Sequence, residues 1–232
     1  PIFKGVARFR VSIMKQRGSL AAVIRVVHFE IPRPEDMNIP PEVIRTANLK
    51  KGLVLVTGAA GSGKSTTLAC IIDEINRTRN SHIITLEDPI EYLHRHNRSV
   101  VTQREIGLDT DSYVNGLVAS LRQAPDVILL GEMRDFDTIK TAMTAAETGH
   151  LVISTLHTIG SANSIDRIID VFPPDGQQQI RVQLAMVLQA VISQQLVPTV
   201  TGGMVPAFEI MFLNDAIRTM VREGKIHQRS EE

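Results

Sequence analysis

The run Leu53-Val54-Leu55-Val56 is apolar at four consecutive positions, and Gly58 follows almost at once. A strand with one wet face alternates apolar and polar residues, whereas an uninterrupted run needs cover on both faces, the condition of a strand inside a parallel sheet. Runs of this kind recur. Residues 53–57, 82–86, 100–102, 127–130, 151–156 and 205–210 read as strands, and helical patterns over 64–78, 112–123, 136–148 and 177–193 lie between several of them. Parallel neighbours need a long crossover, usually a helix. The expected fold is therefore α/β, a mostly parallel sheet with helices on both faces. The sequence shows no internal repeat and no low-complexity tract.

Residues 1–28 have a different pattern. Ala7, Phe9, Val11 and Ile13 alternate with Arg8, Arg10 and Ser12, a period of two. "QRGS" (16–19) has hairpin-loop character, and "LAAVIRVV" (20–27) reads as a second strand. Two strands alone are marginally stable, so these are expected to belong to a sheet whose other strands are missing. The chain opens on Pro1 and not on methionine, and a fragment or a processed chain is expected. The next stretch, "EIPRPEDMNIPPE", holds four prolines and no apolar period, and it reads as a linker. The division expected is 1–28, 29–41 (linker) and 42–232.

Composition sets further bounds. Lysine plus arginine equals 25 and aspartate plus glutamate equals 25, so no net field draws the chain to nucleic acid or anionic lipid. The single cysteine, Cys70, excludes an internal disulfide framework and a multi-cysteine zinc site, and a reducing, cytoplasmic setting fits it. No apolar stretch approaches membrane-span length, and no signal peptide opens the chain.

The segment after the first strand carries the chemistry. Gly58, Gly63, Lys64 and Ser65 fit G-x-x-x-x-G-K-[ST], placed between an apolar strand and a helix. Glycines permit backbone conformations that turn successive N–H groups inward on phosphate oxygens. The helix beginning near Lys64 adds the positive end of its dipole. Lys64 can reach the β- and γ-phosphates, and the Ser65 hydroxyl can ligate magnesium.

A bound nucleotide also needs a magnesium anchor and a group that activates water. "DVILLGE" (126–132) is an apolar strand that stops at a carboxylate. Glu132 would hold magnesium through water or polarise the attacking water. "TLEDPIEY" (85–92) ends a second strand in Glu87 and Asp88, with Glu91 beyond Pro89. Carboxylates at strand ends of a parallel sheet face the same crevice. One of Glu87 and Asp88 suits a general base, the other a magnesium or positioning group, and Glu91 reads equally as a solvated turn residue. His157 follows the strand 151–156, where a side chain could sense the γ-phosphate; His82, His94, His96 and His227 have no motif around them and are expected in surface or structural roles. Arg8 and Arg10 share a strand face and Arg25 interrupts an apolar run. They read either as a solvated face or as fingers offered to a neighbour's nucleotide.

The ordered set "GAAGSGKST", "TLEDPIEY", "VILLGEMRD", "TAAETGHLVISTLHT" and "DAIRTMVREGK" resembles the secretion ATPase superfamily and, within it, the type IV pilus retraction (twitching-motility) ATPases. The likeness runs over about 6–225, and several of these motifs are specific to the family. It implies a RecA-like P-loop core preceded by the last strands of a small PAS-like α+β N-terminal domain, assembled as a homo-hexamer. It implies ATP and Mg2+ as ligands, with Gly58, Gly61, Ser62, Gly63, Lys64, Ser65 and Thr66 in the phosphate loop. It casts Glu87–Glu91 as an acidic box, Asp126 to Glu132 as the Walker B segment, and His150 and His157 as a histidine box. Arg10 and Arg25 would reach nucleotide at a subunit boundary. The partner implied is an inner-membrane pilus platform protein, at the cytoplasmic face of the membrane.

Departures from the family pattern are local. Ala59 and Ala60 stand where proline and threonine are common, and neither supplies an essential side chain. Gln123 and Ala124 replace residues that are commonly acidic, and "HQRSEE" is a short tail. Besides a retraction motor, the sequence admits an assembly or secretion ATPase of the same superfamily, or a non-hydrolysing nucleotide-binding regulatory subunit. The secretion enzymes typically carry a four-cysteine zinc module, which Cys70 alone cannot build, and Lys64, Glu87 and Glu132 together argue against a non-hydrolysing subunit.

Overall fold

The computed structural model describes residues 2–3, 7–27, 30–200 and 202–229. It contains two sheets. The first joins β1 (Ile2–Phe3), β2 (Ala7–Gln16) and β3 (Ser19–Val27) in antiparallel order β1-β2-β3. Gln16 pairs with Ser19, and Arg17 and Gly18 between them have φ of 47° and 82°. Positive φ at both central residues is the two-residue hairpin turn that matches strand twist. Arg10 lies opposite Arg25 in this ladder. The side chains of Arg8, Arg10 and Arg25, and all of His28, lie outside the described residues.

The rest of the chain builds a seven-stranded sheet. After α1 (Pro41–Ile44) and a single 3-10 turn (Arg45–Asn48) come β4 (Gly52–Thr57), α2 (Lys64–Thr78), β5 (His82–Glu87), β6 (Val100–Glu105), α3 (Tyr113–Ser120), β7 (Val127–Leu130), α4 (Phe136–Glu147) and β8 (Leu151–Leu156). Then follow α5 (Ser161–Asp170), α6 (Gln177–Val187), β9 (Leu188–Pro198), β10 (Met204–Phe212), α7 (Asp215–Glu223) and a closing 3-10 turn (Ile226–Arg229). The strand order is β10-β9-β4-β8-β7-β5-β6, parallel throughout except for the antiparallel β9–β10 pair.

The continuous apolar run of β4 has a direct structural reason. Leu53 and Leu55 enter one core with Ile139 and Met143 of α4, Ile165, Ile168 and Ile169 of α5, and Leu184 of α6. Val54 and Val56 enter the opposite core with Val43 of α1 and Leu68, Ile71, Ile72 and Ile75 of α2. Successive side chains leave a strand on opposite faces, so a strand with helices on both faces has no face turned to water. All four are fully buried, and each such side chain stabilises the fold by about 1.5–3 kcal/mol relative to exposure.

The main differences from the sequence expectation are two helix ends and one whole helix. The helix expected over 177–193 stops at Val187; Leu188 turns to φ −64°, ψ 130°, and β9 runs on between β4 and β10. A strand buried on both faces is apolar at nearly every position, and periodicity alone cannot separate it from a buried helix. The helix α5 was not foreseen. Its core residues Ile165, Ile168 and Ile169 have helical spacing, but "SANS" ahead of them reads as loop. In the segment 112–123, Ser112 is the N-cap, its Oγ accepting from the Asn115 N–H at 3.2 Å, and the helix ends at Ser120. Gln123 leads into Ala124 at φ 49°, a left-handed conformation that closes the segment.

Residues 30–40 form no helix or strand, yet they are packed. Ile39 is buried in the α2 side of the core, Ile31 lies against it, and the Cys70 thiol donates to the Pro32 carbonyl at 3.3 Å. Burial, with help from Asp73 and Glu35, pushes the Cys70 thiol up to about 11. Such a thiol has almost no thiolate at neutral pH and is a poor nucleophile. Cys70→Ala is expected to cost about 1 kcal/mol in a denaturant melt and to leave turnover unchanged. A folded Cys70→Ala protein with strongly reduced turnover would give the thiol a functional role.

Candidate functional site

The carboxyl ends of the parallel strands meet over one cavity of about 520 Å³. β4 delivers the loop 58–63, which enters α2 through Gly63 in the left-handed region (φ 90°). The strand beneath dictates the glycines. A Cβ on Gly58 would lie 2.1 Å from the Gln194 carbonyl oxygen of β9, and one on Gly63 would lie 2.8 Å from Gln194 Nε2. Gln194 is itself buried, and its Oε1 accepts from Thr67 Oγ1 at 2.7 Å, which ties the first turn of α2 to the same brace.

Lys64 Nζ donates to the Gly58 carbonyl at 2.7 Å and the Ala59 carbonyl at 2.8 Å, so two of the three ammonium donors span the loop. Burial lowers the Lys64 pKa, and the nearby charges of Glu132 and Glu91 oppose that shift without cancelling it. Gly61, Gly63, Lys64, Ser65 and Thr66 all line the cavity. Gly58 and Ser62, expected in the same loop, do not. Gly58 contributes its carbonyl to Lys64, while Ser62 is buried with no partner for its hydroxyl.

Opposite the loop stand the carboxylates. Glu87 is the last residue of β5, and its Oε1 accepts from Thr85 Oγ1 at 2.6 Å and from Gln103 Nε2 at 3.1 Å. Burial raises its pKa, against the lowering effect of the Thr85 and Gln103 hydrogen bonds and one from the Glu91 backbone. Glu132, two residues past β7, behaves in the opposite way. Its Oε2 meets Arg134 Nη2 at 2.6 Å and its Oε1 meets His157 Nε2 at 3.0 Å. Burial would raise its pKa, but the Arg134 hydrogen bond and the His157 and Arg134 charges together bring it below the usual range. Two carboxyls in one cavity are thus pushed apart, the pattern that separates acid–base roles.

β8 lies between β4 and β7, so the loop strand and the Glu132 strand are not direct neighbours. This brings Thr155 and His157 between them. Thr155 Oγ1 donates to the Gly131 carbonyl at 2.6 Å, and Met133 N–H donates to the Thr155 carbonyl at 3.2 Å, which fixes the turn carrying Glu132. Asp88 and Glu91 also line the cavity. Asp126, at the far end of β7, accepts from the His82 N–H at 2.8 Å and stays outside it. His150 is also outside. It sits just ahead of β8, with Nδ1 3.0 Å from the Ala145 carbonyl, at the amino end of the strand whose other end carries His157.

His94 corrects an expectation, since it lines the cavity wall. Burial drives its pKa down to about 4, which keeps the ring neutral, and its buried Nδ1 has no hydrogen-bond partner in the protein. His82, His96 and His227 hold structural contacts, to Gln123 and Thr102, to the Val101 N–H, and to Asp166 respectively. Tyr92, Tyr113 and Arg134 were not foreseen in the cavity. Tyr92 hydroxyl lies 2.9 Å from Thr66 Oγ1, and a Cβ on Gly131 would come within 2.8 Å of Tyr113 hydroxyl. For Arg134 the available signal was its place two residues after Glu132. Tyr113 had none, because its distance from Gly131 is set only by the fold.

A glycine loop running into a lysine-led helix, with carboxylates at the ends of adjacent parallel strands, defines a P-loop α/β protein. Within that class the chain belongs to the family described as type II/IV secretion system protein, which matches residues 5–223. It is 47% identical to the type IV pilus retractation ATPase PilT of Pseudomonas aeruginosa, covering 97% of this chain and 65% of that protein. It is 49% identical to a twitching motility protein of Neisseria gonorrhoeae, covering 96% of this chain and 60% of that one. The crystal structure of the pilus retraction motor PilT with bound ADP superimposes with a TM-score of 0.95 at 50% identity, covering 99% of this chain and 67% of that chain. The chain therefore spans less than two thirds of the length of both curated relatives.

Proposed function

We propose that this chain is the motor part of an ATP-hydrolysing ring that powers pilus retraction. The observation that carries the reading is the single cavity holding Lys64, Glu87 and Glu132, supported by the likeness to a retraction ATPase along nearly the whole chain. Residues 1–28 are read as the last strands of a PAS-like domain, and 42–232 as the RecA-like ATPase unit. The assembly proposed is a homo-hexamer working against an inner-membrane platform protein. No helix among the described residues is long and apolar enough to cross a membrane.

In this reading the N–H groups of the loop and Lys64 hold the β- and γ-phosphates. Glu87 takes the proton of the attacking water; its raised pKa brings it closer to the operating pH, where a general base is most effective. Glu132 stays ionised between Arg134 and His157. Among the described residues no three His, Cys, Asp or Glu side chains are placed to hold a metal ion. Mg2+ fits such a site, because it keeps several waters and takes only one or two protein oxygens beside phosphate. Ser65 and Glu132 would hold it, and when bound it neutralises charge on the phosphates. His157, hydrogen-bonded to Glu132, is read as the γ-phosphate sensor.

Arg10 and Arg25 are proposed to act on a neighbour's nucleotide, where each would stabilise transition-state charge. Arg25→Ala and Lys64→Ala chains are each expected to be inactive alone. Mixed, they form some boundaries with an intact loop on one side and an intact arginine on the other, and partial turnover should return. Mixed rings that form without any activity, beside a monomer-locked parental chain that is fully active, would contradict a shared site. The direction of the motor is tested in cells. Deleting the gene should leave pili that persist and do not retract, while loss of pili would point to an assembly motor.

A further inference from the structure

The acidic turn that follows β5 is fastened from the edge strand β6 by one side chain. Gln103 lies directly beside Thr85 in the β5–β6 ladder. Its Oε1 accepts from the His94 backbone N–H at 2.8 Å, and its Nε2 donates to the Tyr92 carbonyl at 2.9 Å. Those two backbone partners can only donate and only accept, respectively, so they fix which way the carboxamide points. The amide nitrogen must then face Glu87, where it donates to Oε1 at 3.1 Å. Thr85 Oγ1 supplies the second donor to the same oxygen. One carboxylate oxygen is thus held by two donors from adjacent strands, and both Tyr92 and His94 on the cavity wall are anchored by the same amide.

We infer that Gln103 is a positioning residue for hydrolysis. It orients the Glu87 carboxyl and locks the turn 88–94 against it, without itself touching nucleotide. The inference rests on the reading of Glu87 as the water-activating group. A group held in one orientation before the substrate arrives needs no reorganisation during the reaction, and a displacement of about 1 Å in such a group can cost on the order of a hundredfold in rate.

Gln103→Met keeps the length of the side chain and removes all three hydrogen bonds. The test compares the full-length parental chain, Gln103→Met, Glu87→Gln and the double variant. Single-turnover ATP hydrolysis and the affinity for a fluorescent ADP analogue are measured for each. Gln103→Met is expected to slow hydrolysis at saturating ATP about tenfold or more while affinity stays within about twofold. In the Glu87→Gln background the same change should slow hydrolysis by less than about twofold, because a residue that acts through Glu87 has nothing left to position. A merely structural contribution would multiply in both backgrounds. Additive losses, or a Gln103→Met chain as fast as the parent beside an inactive Glu87→Gln chain, overturn the inference and leave the reading of Glu87 intact. A Glu87→Gln chain as fast as the parent overturns both. If Gln103→Met does not fold, Gln103→Asn replaces it. That variant keeps the carboxamide but draws it back by one methylene, and it should show a smaller loss with the same non-additivity; additive losses again overturn the inference.

Discussion

Lys64→Ala should abolish tight nucleotide binding. The ammonium bridges the Gly58 and Ala59 carbonyls and stands among the loop residues lining the cavity, with one donor still available to a phosphate. A hydrogen bond to a charged group contributes about 1.5–3 kcal/mol. A lysine shared between two phosphates in a partly dehydrated cavity should therefore account for roughly a hundredfold or more in affinity. The alanine variant also leaves the two carbonyls without their cation, so a melting curve is needed beside the titration. A folded Lys64→Ala chain that binds ATP with parental affinity would place the phosphates elsewhere.

Glu87→Gln should leave binding nearly intact and reduce turnover by roughly 10²–10⁴-fold. The geometry makes this substitution unusually clean. The side chains of Thr85 and Gln103 both donate to Oε1 of Glu87. A glutamine can present its carbonyl oxygen to both and keep the same pose, so the basicity is lost with at most the Glu91 backbone hydrogen bond beside it. Glu132→Gln should also lower turnover more than binding, but its interpretation is different. Arg134 and His157 approach separate oxygens of Glu132, and an amide can accept through only one of its two ends. Some of the loss in that variant will therefore come from a broken tie. Loss of nucleotide binding in folded chains of both variants would assign these carboxylates to ground-state binding and not to the chemical step.

The sheet core was legible because β4, β5, β7 and β8 lie between helical layers and each carries an apolar run. The same property concealed β9, whose apolar residues Leu188, Ala190, Val191 and Ile192 follow directly on the apolar end of α6. The hairpin β2–β3 was legible because its alternation and its turn residues agree. In the cavity, Lys64, Ser65, Glu87, Glu132 and His157 could be read because each sits at a fixed place relative to a strand end or a helix start. Tyr113, His94 and Gln194 could not. Tyr113 reaches Gly131 from α3, Gln194 reaches the phosphate loop from β9, and His94 is carried in on an irregular turn held from β6. Such contacts depend on strand order, and the order β9-β4-β8-β7-β5-β6 brings together residues far apart in the chain.

The most direct test of the account is phosphate release from ATP by the purified parental chain, measured across protein concentration beside Lys64→Ala. Steady release with magnesium is expected, with a specific activity that rises as rings assemble and release reduced to background in Lys64→Ala. A parental chain that binds ATP yet releases no phosphate at any concentration, or a Lys64→Ala chain that releases it at the parental rate, would contradict it.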